Sequence, residues 1–407
     1  MREGESLIAE GEYLVSRLPD VSSLSAIPRV WLLLGERYGH NAQLLALGET
    51  LRQDFGWPIE IKQIFFDASC DVSFRDRGAS LIGVDASRTE PLTPPWPDIV
   101  IAIGKSAASV VRWIKEQTGD RAITVQLGRP RTAYHHFDLL VTTPQFSMPP
   151  GDNVIRLSMP ITLHDETKLV VEAENWRSHL AHLPRPWTAV LVGGDTTQLS
   201  FDQEDAQILI DQMAEYRQEV GGSLLITTSP RTPANIADML QAQMPQPHFF
   251  FRWAKDVPNP YYGFLALADN FIITNDSVTM IAEAADRAKP TYIYTLPRRE
   301  LGTTNWLNAV GRRLRRRRER RKNAGRRRDL IDRLFDSMTE GGILRPRNNV
   351  DWFEATLYGQ GIARPLGGET FRPWTTERVT EIERRIVTDR IKALWEQRIL
   401  SSALTAD

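Results

Sequence analysis

Apolar residues in the first half of the chain fall into short, β-branched runs separated by segments of helix-like spacing, the pattern of parallel strands joined by crossover helices. Strands are predicted at Val30–Leu34, Ile59–Phe66, Ile99–Ile103, Ala122–Leu127 and Asp138–Val141, with helices after the first and third. A second series follows Pro184, Arg185 and Pro186: Thr188–Val192, Ser223–Thr227, His248–Phe251, Phe271–Thr274 and Thr291–Tyr294. The pattern therefore predicts two Rossmann-like, doubly wound α/β domains facing a central cleft. Their limits are placed at residues 29–165 and 188–310, with an N-terminal extension over 1–28 and a polar, helical linker over 166–187. An Arg-rich segment over 311–345 leads to a C-terminal segment, 346–407, whose helix Glu381–Ile399 is expected to pack back on the first domain.

Composition changes this picture little. In 407 residues, 50 Lys and Arg balance 51 Asp and Glu, so the whole chain has no electrostatic preference for nucleic acid. Cys70 stands alone, which excludes an internal disulfide or a cysteine-rich metal site and fits a reducing compartment. Met1–Leu18 carries Glu3, Glu5, Glu10 and Glu12 and does not read as a secretory signal. No apolar stretch approaches the ~18 residues of a membrane span. The expected location is cytoplasmic, with any membrane contact peripheral and at the inner face. The local exception to charge balance is Arg312–Arg328, where twelve Arg or Lys accompany a single acid, Glu319. The run reads as a solvated basic insert or as a contact for an anionic membrane surface, with nucleic acid disfavoured.

Ligands of doubly wound sheets sit where strand ends meet helix amino termini. After the first predicted strand come Gly35, Glu36, Arg37, Tyr38, Gly39, His40, Asn41, Ala42 and Gln43. The glycines permit close backbone approach, Glu36 and His40 are candidate bases for an acceptor hydroxyl, and Asn41 is a candidate helix cap. Lys105 after the third strand and Arg129 and Arg131 after the fourth add cations to the same edge. The full phosphate-loop spacing is missing there, which argues against a nucleoside triphosphatase. In the second series, Gly193 and Gly194 follow one strand and Thr228, Ser229 and Arg231 the next, a plausible diphosphate clamp. Asp276 or Ser277 then caps a helix bearing Glu283, a carboxylate suited to a ribose. No Asp-x-Asp occurs, so metal independence is expected and no cofactor beyond a nucleotide-sugar substrate is implied. His135 with His136, and His179 with His182, read as structural histidines.

The Gly35–Gln43 loop, Gly128–Arg131 with Phe137 and Asp138, Thr228–Pro233, Asn259–Tyr261 continuing to Asp269, and Asp276–Ala284 occur in an order that resembles the mitochondrial fission (elongated mitochondria) family. Relatives usually carry Asp and Lys where Glu36 and Arg37 stand, and often Asp at His40. Bacterial members are described as glycosyltransferases or, loosely, as nucleoside-diphosphate-sugar epimerases. The resemblance implies the GT-B arrangement of two Rossmann-like domains and a glycosyltransferase using a nucleotide-sugar; the Arg-rich run is consistent with a lipid-linked or lipopolysaccharide-type glycan as the expected acceptor. The donor would sit on the second domain and the acceptor on the first, beside Gly35, Gly39, Asn41, Gln43, Lys105, Arg129 and Arg131. A sugar-nucleotide 2-epimerase, or a non-catalytic membrane-associated scaffold, would keep the same fold.

Overall fold

The computed structural model describes residues 27–67, 78–130, 132–163, 165–299, 330–341, 349–368 and 373–405. Cys70, Arg131 and the Arg312–Arg328 run lie outside the described residues, as does nearly all of the predicted N-terminal extension.

The first sheet is parallel, in the order β2-β1-β3-β4-β5-β6. Its strands are β1 (Val30–Leu34), β2 (Ile59–Gln63), β3 (Ile99–Ile103), β4 (Ile123–Leu127), β5 (Leu139–Thr142) and β6 (Val154–Arg156). All five residues of β1 are buried, because helices cover both faces of the sheet. Alternation assigns Val30, Leu32 and Leu34 to one face, where they meet Leu44, Leu47 and Leu51 of α1 (Tyr38–Phe55). Trp31 and Leu33 point the other way, into Val110, Val111 and Ile114 of α2 (Ala107–Gln117).

The second domain contains α3 (Glu166–Leu180), β7 (Trp187–Leu191), α4 (Gln203–Val220), β8 (Ser223–Thr227), α5 (Ala234–Gln243) and β9 (His248–Phe251). It continues with α6 (Tyr261–Leu267), β10 (Asn270–Thr274), α7 (Val278–Ala285) and β11 (Thr291–Tyr294). After α8 (Leu330–Glu340) come α9 (Val350–Gln360), β12 (Arg364–Pro365) and α10 (Val379–Thr405). Its sheet is also parallel, ordered β12-β11-β10-β7-β8-β9. Val190 faces α4 and α5 while Ala189 and Leu191 face α6 and α7, again a buried strand read from both sides. A reciprocal capping box of Asp202 and Asp205 starts α4, each side chain accepting the other's backbone N–H at 3.0 Å.

Two doubly wound, Rossmann-like domains thus face each other, the GT-B architecture. The stretch predicted as a linker carries α3, whose Leu169, Leu180 and Trp176 pack into the second domain's core beside Phe264. Helix α10 lies on the first domain, with Val387 and Ile391 joining the cluster of α1 and β1. The sequence pattern does not predict β6 or β12, which are three and two residues long and only partly buried. The second predicted strand stops at Gln63 rather than Phe66, which instead forms an isolated antiparallel bridge to Val84.

Candidate functional site

Strand order reverses at β1/β3 in the first sheet and at β7/β10 in the second. These crevices, at the carboxyl ends of the strands, are where such sheets bind ligands. On the first domain, Asn41 pins the loop leaving β1: its Oδ1 accepts the Gly35 N–H at 3.0 Å and its Nδ2 donates to the Gly35 carbonyl at 2.7 Å. It lies inside α1 as a loop brace, while the cap position belongs to Arg37. The brace turns Gly39, His40 and Gln43 toward the second domain, and a methyl added at Gly39 would lie 3.2 Å from Thr279 Oγ1 across the cleft. Burial, reinforced by the charge of Arg37, lowers the His40 imidazole to about 4, so the ring is neutral at physiological pH. Glu36 is exposed and pairs with Arg88 at 3.1 Å. It lines a side cavity of about 270 Å³ that also touches Gly35, Arg37, His40, Asp67 and Lys105. Arg129 is nearly buried and donates from Nη1 to the Phe146 carbonyl at 3.0 Å.

On the second domain the chain leaving β7 and the chain leaving β10 are tied together. The Gly193 N–H donates to Thr274 Oγ1 at 2.7 Å, Thr274 donates to Asp276 Oδ1 at 2.7 Å, and Arg231 Nη2 donates to Asp276 Oδ2 at 2.6 Å. The Asp276 side chain is fully buried, whereas Arg231 keeps 44% exposure toward the cleft. Glycine is required at 193 and 194, because a Cβ there would sit 2.0 Å from Asp276 Oδ1 and 2.1 Å from the Arg231 carbonyl. Between the domains lies a cleft of about 920 Å³. Its charged lining is Arg37, Lys105, Arg129 and Arg231 against the single carboxylate of Asp276, so the cleft favours an anion. Among the described residues, no group of three or more His, Cys, Asp or Glu is placed to hold a metal ion.

A model of the family described as Mitochondrial fission ELM1 matches residues 38–324, including both walls of the cleft. The chain belongs to the ELM1 family. The Mitochondrial fission protein ELM1 of Arabidopsis thaliana is 28% identical over 219 residues, 48% of this chain and 51% of its own length. An uncharacterized protein of Rickettsia prowazekii is 30% identical over 123 residues, 30% of this chain and 34% of its own. The chain therefore spans 51% and 34% of these relatives' lengths. Among solved structures, UDP-GlcNAc 2-epimerase from Methanocaldococcus jannaschii aligns over 88% of this chain and 99% of its own, with a TM-score of 0.41 and 10% identity. Acinetobacter baumannii MurG aligns over 92% and 94%, with a TM-score of 0.38 and 12% identity.

In this ELM1-family chain the cleft brings together Gly39, His40, Gln43, Lys105, Arg129, Arg231 and Asp276 of the residues predicted from sequence. Gly35 and Glu36 reach only the side cavity. Gly193, Gly194 and Ser229 shape the loops behind Arg231, with Ser229 Oγ accepting the Arg231 N–H at 3.2 Å. Thr228 Oγ1 accepts the Trp253 N–H at 2.9 Å, and Ser277 caps α7. Glu283 is absent from the cleft's lining: it accepts the Tyr261 hydroxyl, and burial raises its carboxyl despite that bond and the charge of Lys168. Thr196, Thr197, Gln198, Asn275 and Gln145 also line the cleft, although the sequence reading assigns none of them a role there. Asn275 is oriented by Glu354 of α9, which accepts its Nδ2 at 2.7 Å from 79 residues away, a distance no local motif reveals.

Proposed function

We propose that the chain is a GT-B glycosyltransferase that binds a nucleotide-sugar in the cleft and transfers the sugar to an acceptor held by the first domain. The observation that carries this reading is the cationic lining: among the described residues, four guanidinium or ammonium groups against one carboxylate, from strand-end loops of both domains. Glycosyl transfer builds negative charge on the departing nucleoside diphosphate, and fixed cations in a partly dehydrated cleft stabilise that charge without a metal. The diphosphate would lie between Arg231 and the amino end of α7, where the helix dipole adds to the attraction. The neutral His40 ring, on the opposite wall, would accept the proton of an acceptor hydroxyl. The ribose role read from sequence for Glu283 is not retained in this reading, because that carboxyl accepts the Tyr261 hydroxyl and does not line the cleft.

For the acceptor we propose a lipid-linked or lipopolysaccharide-type glycan, met at the inner face of a membrane to which the basic run Arg312–Arg328 is attracted. No described helix is long and apolar enough to cross a membrane. A thermal-shift series with uridine, guanosine, cytidine and thymidine diphosphates and their sugars tests the donor site. A ligand at a hundredfold excess over its Kd stabilises by about 2.7 kcal/mol. No shift with any nucleotide would sink the donor reading and leave a non-catalytic scaffold.

A further inference from the structure

Helix α8 is packed inside out. Leu330, Ile331 and Leu334 are 79%, 45% and 61% exposed, whereas Asp336 and Thr339 are buried. At 3.6 residues per turn the three apolar residues share one face and the two buried polar residues lie nearly opposite. A helix of a globular protein normally turns its apolar stripe inward. The charges of Asp336 and Glu340 reach the buried Tyr134 hydroxyl of the first domain, as do those of Arg129 and Arg156. The buried edge of the helix thus carries Asp336 and Thr339, and Leu330, Ile331 and Leu334 face outward.

We propose that this outward face of α8 is a docking surface for an anionic lipid bilayer. The inference rests on the membrane-acceptor reading above and deepens it by naming the surface that enters the bilayer. Arg333 is exposed on the same helix, and the chain entering it carries the twelve basic residues of Arg312–Arg328. Stable interfacial binding takes two signals, an apolar one and a basic one, and here they are adjacent in the chain. The charge also selects the occupant. A second copy of the chain would bring a second basic run against the first, which repels. A nucleic acid would match the arginines but offers no apolar phase for Leu330, Ile331 and Leu334.

The test is sedimentation of the full chain with phosphatidylcholine vesicles, with and without phosphatidylglycerol. The wild type is expected to bind only the anionic vesicles. A Leu330→Ser, Ile331→Ser, Leu334→Ser variant should fold normally, since all three side chains are exposed, yet partition at least about tenfold more weakly. In a separate Leu334→Trp variant, fluorescence should shift to the blue on anionic vesicles and be quenched by brominated lipid. Equal partitioning of the triple variant, or an unshifted tryptophan, would overturn the α8 assignment while leaving the basic-run reading intact. A wild type that binds no vesicle would overturn both. Loss of a dimer in the triple variant by light scattering would make a second copy the occupant and also overturn the proposal. The donor site is unaffected by any of these results, because it is read separately by nucleotide thermal shifts.

Discussion

Replacing Gly193 with alanine puts a methyl 2.0 Å from Asp276 Oδ1 and 2.1 Å from Oδ2, where ordinary van der Waals contact needs about 3.5 Å. Gly193 does not use the left-handed backbone region, so alanine meets no conformational barrier and the overlap is the whole difficulty. Asp276 has little room to retreat, since its side chain is fully buried and held by Thr274 at 2.7 Å and Arg231 at 2.6 Å. Overpacking of this kind costs about 1–3 kcal/mol, and breaking a buried charge-assisted hydrogen bond about 1.5–3 kcal/mol. Gly193→Ala should therefore destabilise by about 3 kcal/mol, and Asp276→Ala by about 2–3 kcal/mol. The two effects share one carboxylate. In the double variant the new methyl occupies the space the carboxylate vacates, so the total should stay near 3 kcal/mol instead of the 5–6 kcal/mol of independent sites. Urea unfolding of the four proteins measures this coupling. Additivity within about 0.5 kcal/mol would refute the claim that Gly193 is glycine because Asp276 needs its place. Nucleotide affinity should fall in Gly193→Ala in parallel, because the displaced carboxylate carries Arg231 with it.

Arg231→Lys keeps a positive partner for Asp276 but loses the planar fork, and calorimetric titration should show nucleoside diphosphate binding weakened roughly tenfold. His40 has its pKa lowered to about 4 in the fold from an ordinary 6.5, so the unfolded chain binds more protons between those values and stability declines as pH falls from about 6.5 toward 4. His40→Gln should remove on the order of 2 kcal/mol of that decline, visible as a flatter profile of urea midpoint against pH. Asp138 sits below its usual range although burial raises it, because Lys115 and the backbone and hydroxyl of Thr124 donate to it at 2.9, 2.8 and 2.7 Å. Its contribution is present above the ordinary carboxylate pKa and lost as pH falls through the lowered one, so Asp138→Ala should cost about 2–4 kcal/mol near neutrality and progressively less in acid.

Burial on two faces explains which elements could be read in advance. A strand such as Val30–Leu34 or Ser223–Thr227 is covered by helices on both sides, so nearly every position is apolar or small and the run stands out from its surroundings. Strand β6 (Val154–Arg156) and strand β12 (Arg364–Pro365) lie at sheet edges and are only partly covered, so three or two residues, one a proline, leave no pattern to find. Helix α3 was legible as a helix, but its apolar Leu169 and Leu180 gave no sign of which domain would bury them. Helix α8 is harder still, because Leu330, Ile331 and Leu334 point outward and periodicity assigns them to a core they do not join.

The same reasoning separates the two carboxylates read from sequence as ligands of the second domain. Asp276 stands in the turn between β10 and α7, at the carboxyl edge of the sheet where the crevice opens. Glu283 lies five residues after the start of α7, and at 1.5 Å per residue that carries it roughly 7–8 Å along the helix. There it meets Tyr261 at the head of α6. Sequence spacing places both along one element, yet the partner that takes the Glu283 carboxyl, the Tyr261 hydroxyl, comes from a different helix that no local motif announces. Arg231 and Asp276, 45 residues apart in the chain, come together because the ends of β8 and β10 flank that of β7. In a doubly wound sheet, residues immediately after strands on either side of the reversal are thus better ligand candidates than residues deeper in the helices that follow.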